Sequence, residues 1–345
     1  MLLDLENLHI HFSTFEGIAQ VLNGVNLAIR EGERVGLVGE TGCGKSITLK
    51  AVLRILPTPP GRVVQGRILF KGRDLLQLPF EELHALRGHN IALIPQEPVG
   101  SLNPVFTIAE QMTDLILWQG RVNVNCGAYL LTPVTHRVKL KAARAKALEL
   151  LTKVNIPDPE RVLQSYPVEL SGGMCQRVLI AMALAGHPSL LIADEPGTAL
   201  DVTTQTQILR LLNERVREEQ LAVLYVTHNL GVAREMSERI YVMYAGEVAE
   251  TAPTDQLFSL PKHPYTQGLL ASIPKLTGAE LEGIPGRIPD YVSPPQGCRF
   301  EPRCKWAMTP CPCATLQPKL RLVAERHEVA CHLYDPAFSQ GTTQS

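Results

Sequence analysis

A largely parallel α/β domain, carrying a helical insertion and a loop-rich tail, is the fold this 345-residue sequence predicts. Three observations point to it. Short apolar runs alternate with helix-period segments, a glycine-rich turn joins one such run to a helix, and periodicity fades after about residue 255. At this length one core with an appendage, or two domains, is the ordinary expectation.

The strands come first. "RVGLVG" (34–39), "IALIPQ" (91–96), "LLIADE" (190–195) and "LAVLYVTH" (221–228) are too short for helices. Each ends in a polar or glycine-rich turn, as buried strands do. Helical patterns follow Lys45 and run from Met174 to Ala185. Strands separated by helices make a parallel sheet, and ligands collect at the carboxyl ends of its strands. Between about Glu97 and Pro188 the pattern is mainly helical, "KAARAKALELLTKV" being its clearest piece, so a helical subdomain is expected there. Within it, residues 119–140 show no steady period and read as a loop or small excursion. "RIYVMYAGEVAET" reads as a hairpin closing a first domain of residues 1–255. Residues 256–345, dense in Pro and Gly, form the appendage, with few segments able to build a core of their own.

"GETGCGKS" (39–46) supplies the first chemistry. It fits G-x-x-x-x-G-K-[ST] between a strand and a helix, the setting a phosphate-binding loop requires. Gly39, Gly42 and Gly44 let backbone N–H groups turn toward phosphate oxygens, and the following helix points its positive end the same way. Glu40, Thr41, Cys43 and Ile47 complete the lining set. Lys45 supplies a mobile cation for the β- and γ-phosphates, and the Ser46 hydroxyl can hold Mg²⁺. "LLIADEP" brings Asp194 and Glu195 to a strand end, Asp194 for the metal and Glu195 to polarise an attacking water. Together these motifs indicate a nucleoside triphosphatase.

"LSGGMCQRV" (170–178) narrows the class. Ser171, Gly172 and Gly173 open an apolar-periodic helix, a second anion-binding helix start in one chain. This stretch resembles the signature of the ATP-binding subunits of ABC transporters. In that family one subunit's signature covers the γ-phosphate held by the other, so two ATP molecules lie sandwiched in a head-to-tail dimer. The resemblance extends in order to Gln96, a Q-loop glutamine touching Mg²⁺ beside the docking groove for the membrane subunits. It continues to Asp201, in a D-loop crossing the dimer interface, and to His228, a switch histidine on the γ-phosphate. Phe12 sits where the family places the aromatic that stacks on adenine, with Phe15 as fallback. Lys45, Glu195 and His228 are thus the catalytic set the resemblance implies. Cys175, Gly197 and Asn229 depart from the usual Arg, Thr and Asp, and none of them removes a group assigned to chemistry.

"PQEPVGSLNP" (95–104), "HPYTQGLL" (263–270), "IPGRIP" (284–289) and "GCRF" with "RC" are similar to the ATPases of dipeptide and oligopeptide importers, which include nickel-import relatives. The resemblance implies two membrane permease subunits, a second ATPase subunit and an extracytoplasmic solute-binding protein. The chain would sit peripherally on the cytoplasmic face of the cell membrane.

Charge and composition fit. A formal net charge of −1 leaves no electrostatic footprint for nucleic acid. A soluble ABC-type ATPase acting on DNA or ribosomes would want coiled-coil arms, tandem cassettes or a basic surface. The amino-terminal "MLLDLENLHIHF" lacks a basic n-region, and no eighteen consecutive residues are apolar, so neither a secretory signal nor a membrane span is expected.

In a reducing compartment disulfides are disfavoured, so the thiols of "GCRFEPRCKWAMTPCPC" (297–313) and Cys331 are expected to be reduced, redox-active or metal-bound. Zinc suits four thiolates, but paired C-x₂-C knuckles are missing. An iron–sulfur cluster takes four thiolates at irregular spacing. The importer ATPases carry a [4Fe–4S] cluster in this region, and the resemblance gives Cys298, Cys304, Cys311 and Cys331 as ligands, with Cys313 a competing neighbour. Zinc or bare thiols stay open as alternatives, as does a sensing role in which ATP is secondary. The cluster would staple a tail that lacks a core.

Overall fold

The computed structural model describes residues 1–119, 133–273, 283–307 and 312–338. The chain divides into two compact units, one of Met1–Gln77 with Leu224–Ser345, the other of Leu78–Val223.

The first unit begins with strands β1 (Leu3–Thr14), β2 (Gly17–Ile29) and β3 (Arg34–Val38), helix α1 (Lys45–Val52), and strands β4 (Gly61–Phe70) and β5 (Arg73–Asp74). β2, β1, β4 and β5 form an antiparallel sheet in that order. This sheet is not among the four apolar runs of the sequence, because it is buried on one face. Leu3 and Leu5 are buried, and so are Leu8 and Ile10, but a register shift at Asn7, with φ +47°, breaks the alternation between the pairs. An inserted residue of this kind is a β-bulge, and it hides a strand from a period-two reading.

The second unit holds α2 (Phe80–Leu86), β6 (Ile91–Ile94), α3 (Pro98–Ser101), α4 (Ile108–Gln119), α5 (Pro133–Lys153), α6 (Pro159–Gln164), α7 (Gly172–Leu184), β7 (Leu190–Asp194) and α8 (Val202–Glu218). β6 and β7 pair in parallel from Ile91↔Leu190 to Ile94↔Ala193, so their carboxyl ends lie side by side. Ile208, Leu211, Leu212 and Val216 give α8 one buried face at helical spacing. Lys146 Nζ donates to the Ala185 carbonyl at the end of α7 (2.9 Å), and Arg177 in α7 donates to Val154 just past α5 (2.8 Å). The irregular reading of residues 119–140 is corrected at both ends. Gln119 closes α4, and residues 133–140 are the first turns of α5, a stretch too short by itself to display a helical period. Residues 120–132 lie outside the described residues.

The chain returns through β8 (Ala222–Thr227), α9 (Leu230–Met236), β9 (Arg239–Tyr244), β10 (Glu247–Pro253), α10 (Thr254–Ser259), α11 (Pro264–Ala271), β11 (Arg321–Ala324) and β12 (His327–Val329). In the first unit the strand order is β11-β12-β10-β9-β3-β8, with β3 and β9 parallel. The expected hairpin is β9–β10, turning at Ala245 and Gly246 with φ of +45° and +83°. Positive φ at both positions matches the twist of the flanking strands.

The tail does not stand apart. β12 adds to β10, and Tyr265 and Phe300 enter the same buried cluster as Val38, Ile240, Val242 and Tyr244. The Tyr244 ring lies 4.6 Å from Tyr265 and 5.1 Å from Phe300. Glu250, fully buried on β10, accepts from Lys262 N–H (2.7 Å) and His263 N–H (2.9 Å) and pairs with His327 Nε2 (2.6 Å). The expectation of a coreless tail is therefore corrected. The tail shares the core of β3, β9 and β10, through residues whose role shows only when strands 200 residues apart are brought together.

Candidate nucleotide site

The phosphate loop forms as its sequence requires. Gly39 through Gly44 turn between β3 and α1, and Lys45, Ser46 and Ile47 open the helix. Gly39 (φ +155°) could not carry a Cβ, which would run into the Met243 carbonyl, and Gly44 at the helix N-cap has φ +108°. Lys45 is buried, and its ammonium donates to the carbonyls of Gly39 (2.7 Å) and Glu40 (3.0 Å). A buried ammonium needs such partners. Ser46 and Thr41 are exposed at the loop mouth. Cys43 is fully buried, and burial pushes its thiol up from its ordinary range, so it is a packing residue.

His228, exposed at the end of β8, lies in the same unit. Asn229 caps α9, its side-chain oxygen accepting from Gly231 N–H (2.9 Å) and Val232 N–H (3.2 Å). Asn caps a helix about as well as Asp, which explains that departure. Phe12 lies inside β1 opposite Ala19 and Gly61, and a Cβ on Gly61 would stand 2.9 Å from its ring. Phe15, in the turn before β2, is fully exposed.

The second unit brings the other residues forward. Gln96, just after β6, donates through Nε2 to Glu195 Oε2 at 3.2 Å. Asp194 ends β7, and Glu195 follows it with φ +47°, a left-handed conformation that a non-glycine residue holds at a cost. Ser171 caps α7 by accepting from Met174 N–H (3.3 Å), placing Gly172 and Gly173 in its first turn. Asp201 caps α8 by accepting from Thr204 N–H (3.0 Å), which holds its carboxyl below the usual range. The signature turn and α8 touch: a Cβ on Gly173 would meet Thr204 Cγ2 at 2.6 Å, and one on Gly172 would meet Leu200 at 3.1 Å. The two other departures have local reasons. Cys175 is fully buried beneath the signature turn, its thiol 3.6 Å from the Pro167 carbonyl. A Cβ at Gly197 would press on Gln205 Cγ at 2.8 Å, so Gln205 fills the space of the usual side chain.

Cys298, Cys304, Cys313 and Cys331 line one pocket with His263, Phe300 and His332. These four are not in disulfides, and Cys311 lies outside the described residues. Among the described residues no three His, Cys, Asp or Glu side chains could hold a single metal ion. The sequence reading assigned no role to Tyr265, Tyr291 or Arg303, yet each bonds the phosphate loop. They lie more than 220 residues from it, and no spacing rule reaches that far.

Comparison with known proteins gives the family. The family described as "ABC transporter" matches residues 22–198, and that described as "Oligopeptide/dipeptide transporter, C-terminal region" matches residues 249–311. The dipeptide transport ATP-binding protein DppD of Bacillus subtilis is 42% identical over 335 residues, spanning 96% of this chain and 95% of that one. This chain belongs to the ABC transporter ATP-binding family. A probable peptide ABC transporter ATP-binding protein of Sinorhizobium fredii, y4tR, is 43% identical, covering 96% of this chain and 94% of its own. Among solved structures, a dimeric post-hydrolysis state of the ATP-binding cassette MJ0796, bound to ADP and Pi, is 30% identical. It superposes with a TM-score of 0.61, covering 73% of this chain and 98% of that one. The family member described here is an ATP-hydrolysing subunit that powers transport through membrane partners. Among the described residues no helix is long and apolar enough to cross a membrane.

Proposed function

We propose that this ABC cassette drives import of di- or oligopeptides by closing, head to tail with a second cassette, around two Mg²⁺–ATP molecules. The observation that carries the reading is that one chain presents two helix starts built for anions, at Lys45 and at Gly172, in separate compact units. A head-to-tail pair uses both for one nucleotide. Lys45 neutralises the β- and γ-phosphates, while Ser46, Gln96 and Asp194 hold Mg²⁺. Glu195 positions or deprotonates the attacking water, and Gln96, already bonded to it, links metal site and base. His228 orients the γ-phosphate. Ser171, Gly172 and Gly173 of one subunit close over the ATP of the other, with Asp201 at the interface.

Residues 1–255 act as the cassette and 256–345 as its appendage. The peptide cargo is supported by relatives named for dipeptide and oligopeptide transport and by the carboxyl-terminal family match. Exposed Val99, Val105 and Phe106, close in sequence after Gln96, suit docking on a permease subunit at the cytoplasmic face of the membrane. An extracytoplasmic solute-binding protein delivers the peptide without touching this chain. The test is co-expression with the neighbouring permease genes, purification of the membrane complex, and peptide-stimulated ATP hydrolysis. A chain that neither copurifies with a permease nor responds to any peptide loses this function.

The cysteines that line one pocket support a [4Fe–4S] cluster by donor type and number, since such a cluster takes four thiolates. Cys298, Cys304 and Cys331 would hold it, with Cys311 or Cys313 as the fourth thiolate. Anaerobically purified protein should absorb at about 400 nm and contain iron and sulfide. One zinc per chain and no colour would end that assignment.

A further inference from the structure

We infer that Tyr265, Tyr291 and Arg303 of the carboxyl-terminal region are positioning residues for ATP, because together they fix the outer side of the phosphate loop. Glu40 N–H donates to Tyr265 Oη (2.9 Å), Tyr291 Oη donates to the Gly42 carbonyl (2.7 Å), and Arg303 grips the Glu40 carboxylate with both terminal nitrogens (2.8 and 3.1 Å).

The first contact reaches the catalytic lysine through a single rigid unit. A trans peptide is planar, with its N–H and C=O pointing in opposite directions. In the Gly39–Glu40 peptide the N–H is held by Tyr265 while the C=O accepts from Lys45 Nζ at 2.7 Å. Tyr265 therefore sets the plane that sets the ammonium. Tyr291 does the same for the Gly42–Cys43 peptide, whose N–H donates to the Glu40 carbonyl (3.2 Å). That carbonyl is also the second acceptor for Lys45.

Each of the three is itself anchored. Tyr265 is fully buried in the aromatic cluster, and the Tyr291 carbonyl accepts from Gln20 N–H on β2 (2.8 Å). Arg303 donates further to the carbonyls of Pro285 (2.7 Å) and Ile284 (3.3 Å), and the bidentate fork on Glu40 has a geometry a lysine cannot copy. A loop preorganised in this way loses less freedom when phosphates bind, and the gain appears as nucleotide affinity.

The inference rests on the loop being the ATP site, and hydrolysis by the wild-type full chain tests that reading separately. Y291F and R303Q should each raise the KM for ATP, and the Kd for Mg²⁺–ATP by calorimetry, about three- to tenfold, the scale of one hydrogen bond. The kcat should stay within about twofold and the melting temperature should not move. R303K should recover only part of what R303Q loses. Y265F should follow the same pattern, and Y291F, altering a side chain less buried than Tyr265, decides the matter if Y265F fails to fold. Wild-type ATP affinity in both Y291F and R303Q overturns the inference. So does a rise in KM that tracks a fall in melting temperature, since that is the mark of packing alone.

Discussion

Gln96 and Glu195 stand at the ends of neighbouring parallel strands, and the Gln96 amide donates to the Glu195 carboxylate at 3.2 Å. That bond holds the side chain proposed as the base. Glu195→Gln should slow ATP turnover by about 10²–10⁴, the usual contribution of a positioned general base. It should also leave an ATP-bound dimer detectable by light scattering. Hydrolysis at the wild-type rate would remove Glu195 from its assigned role.

Phe12 and Phe15 are the two aromatics proposed to stack on adenine. Phe12 is fixed within β1 against Gly61, whereas the Phe15 ring is fully exposed. Phe15→Ala should weaken ATP by about five- to a hundredfold, the range of base–aromatic stacking, with little change in stability. Phe12→Ala should act mainly on stability. Nucleotide titration and thermal melts of both variants check this, and the opposite pattern would return the contact to Phe12.

Glu250 offers a stability test. Its buried carboxylate serves two backbone N–H groups and His327, tying the tail to β10. Glu250→Ala should destabilise the protein by about 3–5 kcal/mol, because it leaves those partners buried and unpaired. Denaturant melts measure it, and a loss under about 1 kcal/mol would show the tail to be held chiefly by its aromatic core.

His263 predicts a pH dependence. Burial lowers its pKa from 6.5 to about 4, and its neutral Nδ1 accepts from Tyr265 N–H at 3.0 Å. The unfolded chain binds this proton more readily, so the folded state is favoured fully above pH 6.5 and loses that advantage as pH falls toward 4. The total is on the order of 3 kcal/mol. His263→Asn keeps an N-cap acceptor without titrating, and its stability should fall less steeply across this window. Parallel slopes for the two proteins would contradict the assignment.

Much of this was legible in the sequence, for specific reasons. The strands ending at Val38, Ile94, Asp194 and Thr227 are buried on both faces, so their apolar runs announce them. The loop at Gly39–Ser46 and the signature at Ser171–Gly173 could be read because phosphate binding fixes residue type and spacing locally. The sheet of β1, β2, β4 and β5 was hidden by one-sided burial and a bulge at Asn7, and the start of α5 because residues 133–140 are too few to show a helical period.

The sequence by itself determined the family and the residues proposed to cradle phosphate, hold Mg²⁺ and activate water, since each motif is a matter of residue type at short spacing. Tertiary structure decided what those groups lean on. It placed Gln96 against Glu195, turned the tail into part of the cassette's own core, and set Tyr265, Tyr291 and Arg303 on the outside of the phosphate loop. Contacts between residues more than 200 positions apart leave no periodic trace. They arise only when β9 and β10 carry the end of the chain back to its beginning.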